Sequence, residues 1–152
     1  MAVVGAEAHT HSVLVVDDDE QNLTALVLYL DAVGFTAHGA RGGTEALEQL
    51  HAGFEPCGML IDVVMPGMDG WTLVERIRQD PDLAGIPVVL HSGADLDQRR
   101  ARRLGVSASF VKPTDPKDIV AALAEHCPRR LGASGLPPIP PVLADRGARG
   151  TS

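Results

Sequence analysis

Short apolar runs alternate with amphipathic segments along most of the chain. Val13 to Val16 and Val88 to Leu90 are short enough for buried strands, and each is followed by a longer stretch with a helical hydrophobic spacing. The pattern predicts strands over residues 13–16, 35–39, 58–61, 87–91 and 108–111, and helices over residues 20–33, 44–51, 71–79, 95–104 and 116–126. Each predicted strand is therefore followed by one helix.

The predicted helix boundaries carry local signals. Thr44 and the aspartates at positions 95 and 97 are candidate helix starts, because their side-chain oxygens can accept hydrogen bonds from the first backbone N–H groups. Gly34, Gly53 and Gly105 follow three predicted helices, at positions where a left-handed backbone is common.

The strand composition predicts the fold class. Consecutive Val, Leu and Ile residues lack the alternation of a sheet with one wet face, so these strands are expected to be buried on both faces. Five strand–helix units then predict an α/β fold, a doubly wound, five-stranded parallel sheet with helices on both faces. Ligands of such sheets bind at the carboxyl ends of the strands. Polar residues stand at those ends and are expected to share one crevice: Asp17, Asp18, Asp62, Ser92 and Lys112.

Length and composition predict one folded unit with two irregular ends. The chain has 152 residues, enough for one hydrophobic core. Residues 1–11 are small and polar without periodicity and are expected to form a flexible arm. Residues 12–127 are expected to form the domain. Residues 128–152, rich in Pro, Gly and Arg, are expected to be a disordered tail.

The charge and hydropathy exclude some classes of partner. A net charge of −7 argues against direct DNA binding through phosphate neutralisation. No apolar run approaches the roughly 18 residues needed to cross a bilayer, so membrane insertion is not expected. Without a secretory signal pattern, a cytoplasmic location is expected.

Two cysteines and several histidines offer little as a metal motif. Cys57 and Cys127 lack the CxxC spacing and are expected to be reduced thiols. His9 and His11 belong to the predicted arm and are expected to be solvated. Neither His nor Cys is obviously placed to make a zinc site.

The acidic residues at the strand ends predict a different metal site. Asp17, Asp18 and Asp62 in one crevice would repel one another unless a cation lay between them. Oxygen ligands suit Mg²⁺, with Mn²⁺ as a substitute. With a metal, the Lys112 ammonium and the Ser92 hydroxyl could hold three phosphoryl oxygens around an attacking Asp62 carboxylate. No strong general base stands nearby, so an aspartyl phosphate formed there is expected to persist, which suits a signal.

Four motifs stand at the ends of the predicted strands: Leu14-Val15-Val16-Asp17-Asp18-Asp19-Glu20, Ile61-Asp62-Val63-Val64-Met65-Pro66-Gly67-Met68-Asp69-Gly70, Ser92-Gly93-Ala94 and Val111-Lys112-Pro113. Together they resemble the receiver domain of bacterial two-component response regulators. The similarity runs from Ser12 to about Cys127 and implies the flavodoxin-like strand order 2-1-3-4-5 of chemotaxis receivers.

The resemblance also implies residue roles. Asp62 would accept a phosphoryl group from a histidine kinase or phosphotransfer protein, while Ser92 and Lys112 would contact that group. Asp17, Asp18, Asp62 and the backbone carbonyl of Val64 would bind Mg²⁺. The Lys112–Pro113 peptide bond resembles the family's cis bond.

The chain departs from the family pattern at two places. Ser109 stands where the family commonly has a switching aromatic residue, and Phe110, on the opposite face of the strand, is expected to be a core residue. Val64 and Ala94 stand where polar groups often steer the attacking water, which predicts slow loss of phosphate.

Together these features predict a stand-alone response regulator that catalyses only its own phosphorylation and slow dephosphorylation. Its output would be a change in the binding of a protein partner through the fourth helix and fifth strand, or formation of a phosphorylation-dependent homodimer. The arginines of the fourth helix could form this docking surface, but they are equally compatible with a solvated face. One alternative is a degenerate receiver that acts as a constitutive interaction module. A less favoured alternative is an aspartate-nucleophile phosphatase. The segment Asp17-Asp18-Asp19-Glu20 does not match the motif of that class.

Overall fold

Five strands and five helices alternate in the computed structural model, which describes residues 11–127. The strands are β1 (Ser12–Val16), β2 (Thr36–Ala40), β3 (Gly58–Asp62), β4 (Val88–Ser92) and β5 (Ala108–Val111). The helices are α1 (Glu20–Ala32), α2 (Gly43–His51), α3 (Gly70–Gln79), α4 (Gln98–Arg103) and α5 (Pro116–His126). The arm and tail predicted for residues 1–11 and 128–152 lie outside the described residues, except for His11.

All strand pairs are parallel, and the sheet has the order β2-β1-β3-β4-β5. The predicted fold class and strand order are therefore confirmed. β1 and β3 are neighbours, with Val16 paired to Ile61, and β3 and β4 are neighbours, with Asp62 paired to His91. This order brings the carboxyl ends of β1, β3 and β4 side by side.

Two apolar layers cover the sheet. One contains Met59, Leu73 and Ile77 on the side of α3, and the other contains Leu30, Leu60 and Leu123 on the side of α1 and α5. β3 and β4 are buried at every position, as predicted for strands covered on both faces. The edge strands β2 and β5 are partly exposed, because each has a neighbouring strand on one side only.

Several predicted boundaries differ from those observed. α4 starts at Gln98 and not at residue 95, because the Asp97 side chain accepts the hydrogen bond from the Arg100 N–H and caps the helix there. α2 starts at Gly43 after Gly42, so Thr44 lies inside the helix and does not cap it. The positive φ angles predicted after three helices are observed at Gly34 (110°), Gly53 (110°) and Gly105 (68°). No helix within residues 11–127 is long and apolar enough to cross a bilayer.

Candidate functional site

Two buried aspartates and a lysine meet at the carboxyl ends of β1, β3 and β5. Asp17 directly follows β1 and Asp62 ends β3, and their exposed fractions are 2% and 6%. Lys112 follows β5, and its Nζ lies 3.5 Å from Asp62 Oδ2 and 3.7 Å from Asp17 Oδ2. The lysine therefore bridges two carboxylates that would otherwise repel each other across adjacent strands.

The first turn of α1 holds Asp17 in place. The Asp19 side chain caps this helix by accepting hydrogen bonds from the N–H groups of Gln21 and Asn22. The Asp19 N–H donates to Asp17 Oδ1 at 2.9 Å, and Asn22 Nδ2 donates to Asp17 Oδ2. Asn22 was not predicted as a site residue. Its position in the first turn of α1, five residues after Asp17, is the signal that could have identified it.

A close backbone approach shapes the turn after Asp62. The Gly70 N–H donates to Val63 O at 2.8 Å, and a Cβ on Gly70 would lie only 2.5 Å from Asp62 O. Glycine is therefore required at the first residue of α3. The Asp69 side chain caps that helix through the Thr72 N–H at 2.9 Å.

The surroundings of Asp62 shift the pKa of its carboxyl group. Burial raises the pKa of this carboxyl above its ordinary value, and the negative charge of Asp17 raises it further, while Lys112 opposes both effects. The Val64 N–H also donates to Asp62 Oδ1 at 3.3 Å and favours the charged form. Lys112 is thus the main group that favours the charged form of this buried carboxyl.

His91 lies beside Asp62 on β4 and is buried. Burial, helped by the positive charge of Lys112, lowers the pKa of His91 to about 4, so the imidazole is neutral at physiological pH. Its Nε2 atom has no hydrogen-bond partner among the described residues.

Ser92 and Lys112 are joined through the backbone. The Lys112 N–H donates to Ser92 O at 2.7 Å, and the Lys112–Pro113 peptide bond is cis. Ser92 is fully buried, and its Oγ accepts a hydrogen bond from the Ala94 N–H at 3.1 Å. Val64 and Ala94 are exposed and bring no polar side chain to the site.

The carboxylates fit a divalent cation. Asp17, Asp18 and Asp62 each offer an oxygen, and these oxygens all lie within 4.8 Å of one another. Such a hard donor set suits Mg²⁺ or Mn²⁺. At Val64 the N–H contacts Asp62, and the predicted role of the Val64 carbonyl as a metal ligand stays a prediction.

The two residues near the expected aromatic switch point to opposite faces of β5. Gln98 Nε2 donates to Ser109 Oγ at 3.3 Å, so Ser109 contacts the start of α4. Phe110 packs on the other face, against the apolar layer of α1 and α5. This agrees with the core position expected for Phe110.

The arginines of α4 differ in their surroundings. Arg100 pairs with Glu75 at 2.9 Å, and its guanidinium carbon lies 4.9 Å from the centroid of the Trp71 ring. Trp71 itself is buried at the start of α3. Arg99, Arg102 and Arg103 are exposed. Only Arg100 of the four therefore has a place in the packing of the described domain.

Comparison with known proteins identifies the family of the described domain. Residues 13–124 match the response regulator receiver domain model. Response regulator PleD of Caulobacter vibrioides is 39% identical over 105 residues, which are 68% of this chain but 23% of PleD. Two-component response regulator ORR6 of Oryza sativa subsp. japonica is 33% identical over 118 residues, covering 75% of this chain and 69% of that protein.

A solved structure extends the similarity to the fold. The response regulator receiver protein from Pseudomonas putida aligns with a TM-score of 0.71 at 32% identity, covering 76% of this chain and 97% of that one. The strand order described above agrees with this match. The chain therefore belongs to the response regulator receiver family.

Proposed function

We propose that Asp62 accepts a phosphoryl group from a histidine kinase or phosphotransfer protein. The observation that carries this proposal is the buried Asp62 carboxylate with the Lys112 ammonium 3.5 Å away and the Asp17 carboxylate on the adjacent strand end. A desolvated carboxylate that is oriented by a lysine and a backbone N–H has the geometry of a nucleophile held for attack.

In the proposed reaction an Asp62 oxygen attacks the phosphorus of a phosphorylated histidine. The new O–P bond forms as the P–N bond breaks, and the imidazole leaves. Lys112 and the Ser92 hydroxyl neutralise and hydrogen-bond the phosphoryl oxygens. Mg²⁺, when bound by Asp17, Asp18, Asp62 and the Val64 carbonyl, would supply further positive charge against those oxygens.

The aspartyl phosphate is expected to be long-lived. Hydrolysis needs a water held in line with the Asp62–phosphorus bond, and the exposed Val64 and Ala94 side chains cannot orient one. With a pKa of about 4 and a buried position, His91 is a poor general base. The protein is therefore proposed to be a signalling phosphoacceptor and not an enzyme that turns over a substrate.

The output is proposed to be a change in partner binding at the face of α4 and β5. Arg99, Arg102 and Arg103 are exposed on α4, and Val111 on β5 is 46% exposed. A positively charged face with an apolar residue fits a protein partner of acidic surface. A second copy of the phosphorylated chain is the other candidate for this face.

Phosphate incorporation tests the proposal. The purified full chain is treated with acetyl phosphate and Mg²⁺ and followed by intact mass spectrometry. We expect the mass of the chain to increase by one phosphoryl group. The increase should be absent in the presence of EDTA and in the Asp62→Asn variant. It should remain in the control variant Asp82→Asn, which removes an exposed carboxylate elsewhere.

Each alternative has its own outcome in the same experiment. A fold that is intact yet takes up no phosphate would contradict the proposal and favour a constitutive interaction module. Multiple turnovers on small phosphoesters would instead favour a phosphatase.

A further inference from the structure

A second cluster of ligand-type side chains lies at the opposite end of the sheet. The thiols of Cys57 and Cys127 and the imidazole of His11 each offer an atom, and these three atoms lie within 4.8 Å of one another. The two Sγ atoms are 2.9 Å apart. His11 directly precedes β1 and Cys127 directly follows α5, so the start of the first strand and the end of the last helix meet here.

Backbone hydrogen bonds fix the three positions. His11 precedes β1, and its carbonyl accepts a hydrogen bond from the Thr36 N–H at 2.9 Å. Cys57 precedes β3, and its N–H donates to Ser12 O at 2.7 Å. The Cys127 N–H donates to Leu123 O at 2.9 Å and ends α5. The donors therefore come from the sheet and a helix end, which hold them with little freedom.

The two thiols of the cluster are shielded from water. Cys57 and Cys127 are 7% and 4% exposed and belong to the apolar layer of α1 and α5. The Cys57 Sγ lies 3.2 Å from Ser12 O. The His11 ring is partly buried and meets the Phe35 ring edge-on, with 5.8 Å between centroids.

We propose that Cys57, Cys127 and His11 bind a Zn²⁺ ion. Two sulfurs and an imidazole nitrogen are a soft donor set that favours Zn²⁺ over Mg²⁺. Tetrahedral Zn²⁺ with bonds of ~2.3 Å to sulfur places its two sulfurs ~3.8 Å apart, so the thiols need to separate by less than ~1 Å. Binding displaces the two thiol protons to solvent, and water completes the fourth position.

The zinc site and the Asp62 site are independent. β3 connects Cys57 to Asp62, and five residues of strand at ~3.3 Å each separate the two positions by ~16 Å. Their donor sets also differ, since one offers carboxylate oxygens and the other sulfur and nitrogen. The zinc site would tie the start of β1 to the end of α5 whether or not Asp62 is phosphorylated.

Metal titration of the reduced, metal-free full chain tests the proposal. We expect one Zn²⁺ per chain in competition with a chromophoric chelator, and a higher thermal midpoint with zinc than without. Co²⁺ in place of Zn²⁺ should give the near-ultraviolet charge-transfer band of bound thiolates. That band should persist when Asp17 and Asp18 are both changed to Asn, because the carboxylate site lacks sulfur.

Matched variants assign the ligands. Cys127→Ser should remove the thiolate band, and His11→Ala should weaken zinc binding by about tenfold or more. His38→Ala is the control, because the His38 ring also packs on a phenylalanine, Phe54, with 4.3 Å between centroids. Circular dichroism checks each fold. If Cys127→Ser does not fold, the wild-type cobalt spectrum and the His11→Ala comparison still decide.

Three results would overturn the proposal. One is the absence of a thiolate band in reduced protein with Co²⁺, and another is equal zinc affinity in His11→Ala and His38→Ala. The third is reduced protein that takes up no Zn²⁺ but forms a Cys57–Cys127 disulfide in air. That result would indicate that the two cysteines are a redox pair.

Discussion

The two ends of the sheet differ in the surroundings that they give to buried side chains. At the carboxyl end, Asp17 and Asp62 are buried together, and burial and mutual repulsion raise the pKa of Asp62. At the amino end, Cys57 and Cys127 are buried in an apolar layer, with a main-chain carbonyl beside one of them. The carboxyl end thus holds unfavourable negative charge that a bound cation can offset. The amino end closes the domain.

The largest expected difference between the two ends comes from paired glycine substitutions. Gly70→Ala should destabilise the fold by about 3 kcal/mol, because the new Cβ would lie 2.5 Å from Asp62 O and 2.7 Å from Val63 Cα. Gly58→Ala at the amino end should change stability by less than about 1 kcal/mol, since its Cβ would meet Cys127 Sγ at an ordinary 3.4 Å. Urea unfolding of both variants measures the contrast. Equal losses would contradict it.

The pH dependence of stability should come largely from the carboxyl end. The pKa of His91 is lowered from 6.5 to about 4 in the fold, so between these values the unfolded chain binds one more proton and stability falls as the pH falls. The loss between pH 6.5 and 5 should be about 1.5 kcal/mol.

His91→Leu should flatten this dependence, and it also removes the Nε2 atom that has no partner in the described part of the chain. The matched change His38→Leu, at an exposed histidine in the middle of the edge strand β2, should leave the pH dependence in place. Urea titrations from pH 5 to 7 measure the slope. A slope that persists in His91→Leu would contradict this assignment.

The apolar side chains of Val64 and Ala94 should set how long the proposed aspartyl phosphate lasts. Val64→Asn would bring an amide that can orient the attacking water, and we expect dephosphorylation to become about tenfold faster. Val111→Asn, at another exposed valine, is the control and should leave the rate unchanged. The half-life of the aspartyl phosphate in isolated protein is the measurement. A wild-type half-life of seconds would refute the premise of slow hydrolysis.

The smallest effect should be a gain in stability from neutralising Asp62. A carboxyl with a raised pKa stabilises the fold below its ordinary value of 3.8 and loses that contribution as the pH rises through the raised value. Asp62→Asn should therefore raise the free energy of unfolding at pH 7 without Mg²⁺, by less than the His91 effect, because Lys112 already offsets part of the burial cost. The control variant Asp82→Asn, which removes an exposed carboxylate before β4, should leave the free energy of unfolding unchanged. Urea unfolding of the two variants tests this.

The sequence predicted the fold and the carboxyl-end cluster because both have local signals. Apolar runs define strands, and a residue such as Asp62 that ends a run needs only the strand order to be placed in the crevice. Asn22 was not predicted because a polar residue on a helix is usually solvated. Its contact with Asp17 becomes evident only when the helix cap at Asp19 is known. The start of α4 was missed for a similar reason, since Asp95 and Asp97 are equivalent as sequence and only one caps the helix.

The amino-end cluster had no such signal. Cys57 and Cys127 are 70 residues apart, and His11 belongs to a segment without periodicity. They meet only because the order β2-β1-β3 places β1 beside β3 and α5 returns across the sheet. The expectation that no His or Cys is placed for zinc followed from spacing along the chain, and spacing does not report contacts set by topology.

The position of Trp71 gives the molecule an optical sensor of its own. This side chain is the only tryptophan of the chain, and it follows Gly70, whose backbone lies against the Asp62 carbonyl. Its indole is buried and has the Arg100 guanidinium over its ring. Charge added at Asp62, or a shift of α4, would alter the field at the indole, so we expect its emission to report either change without a label.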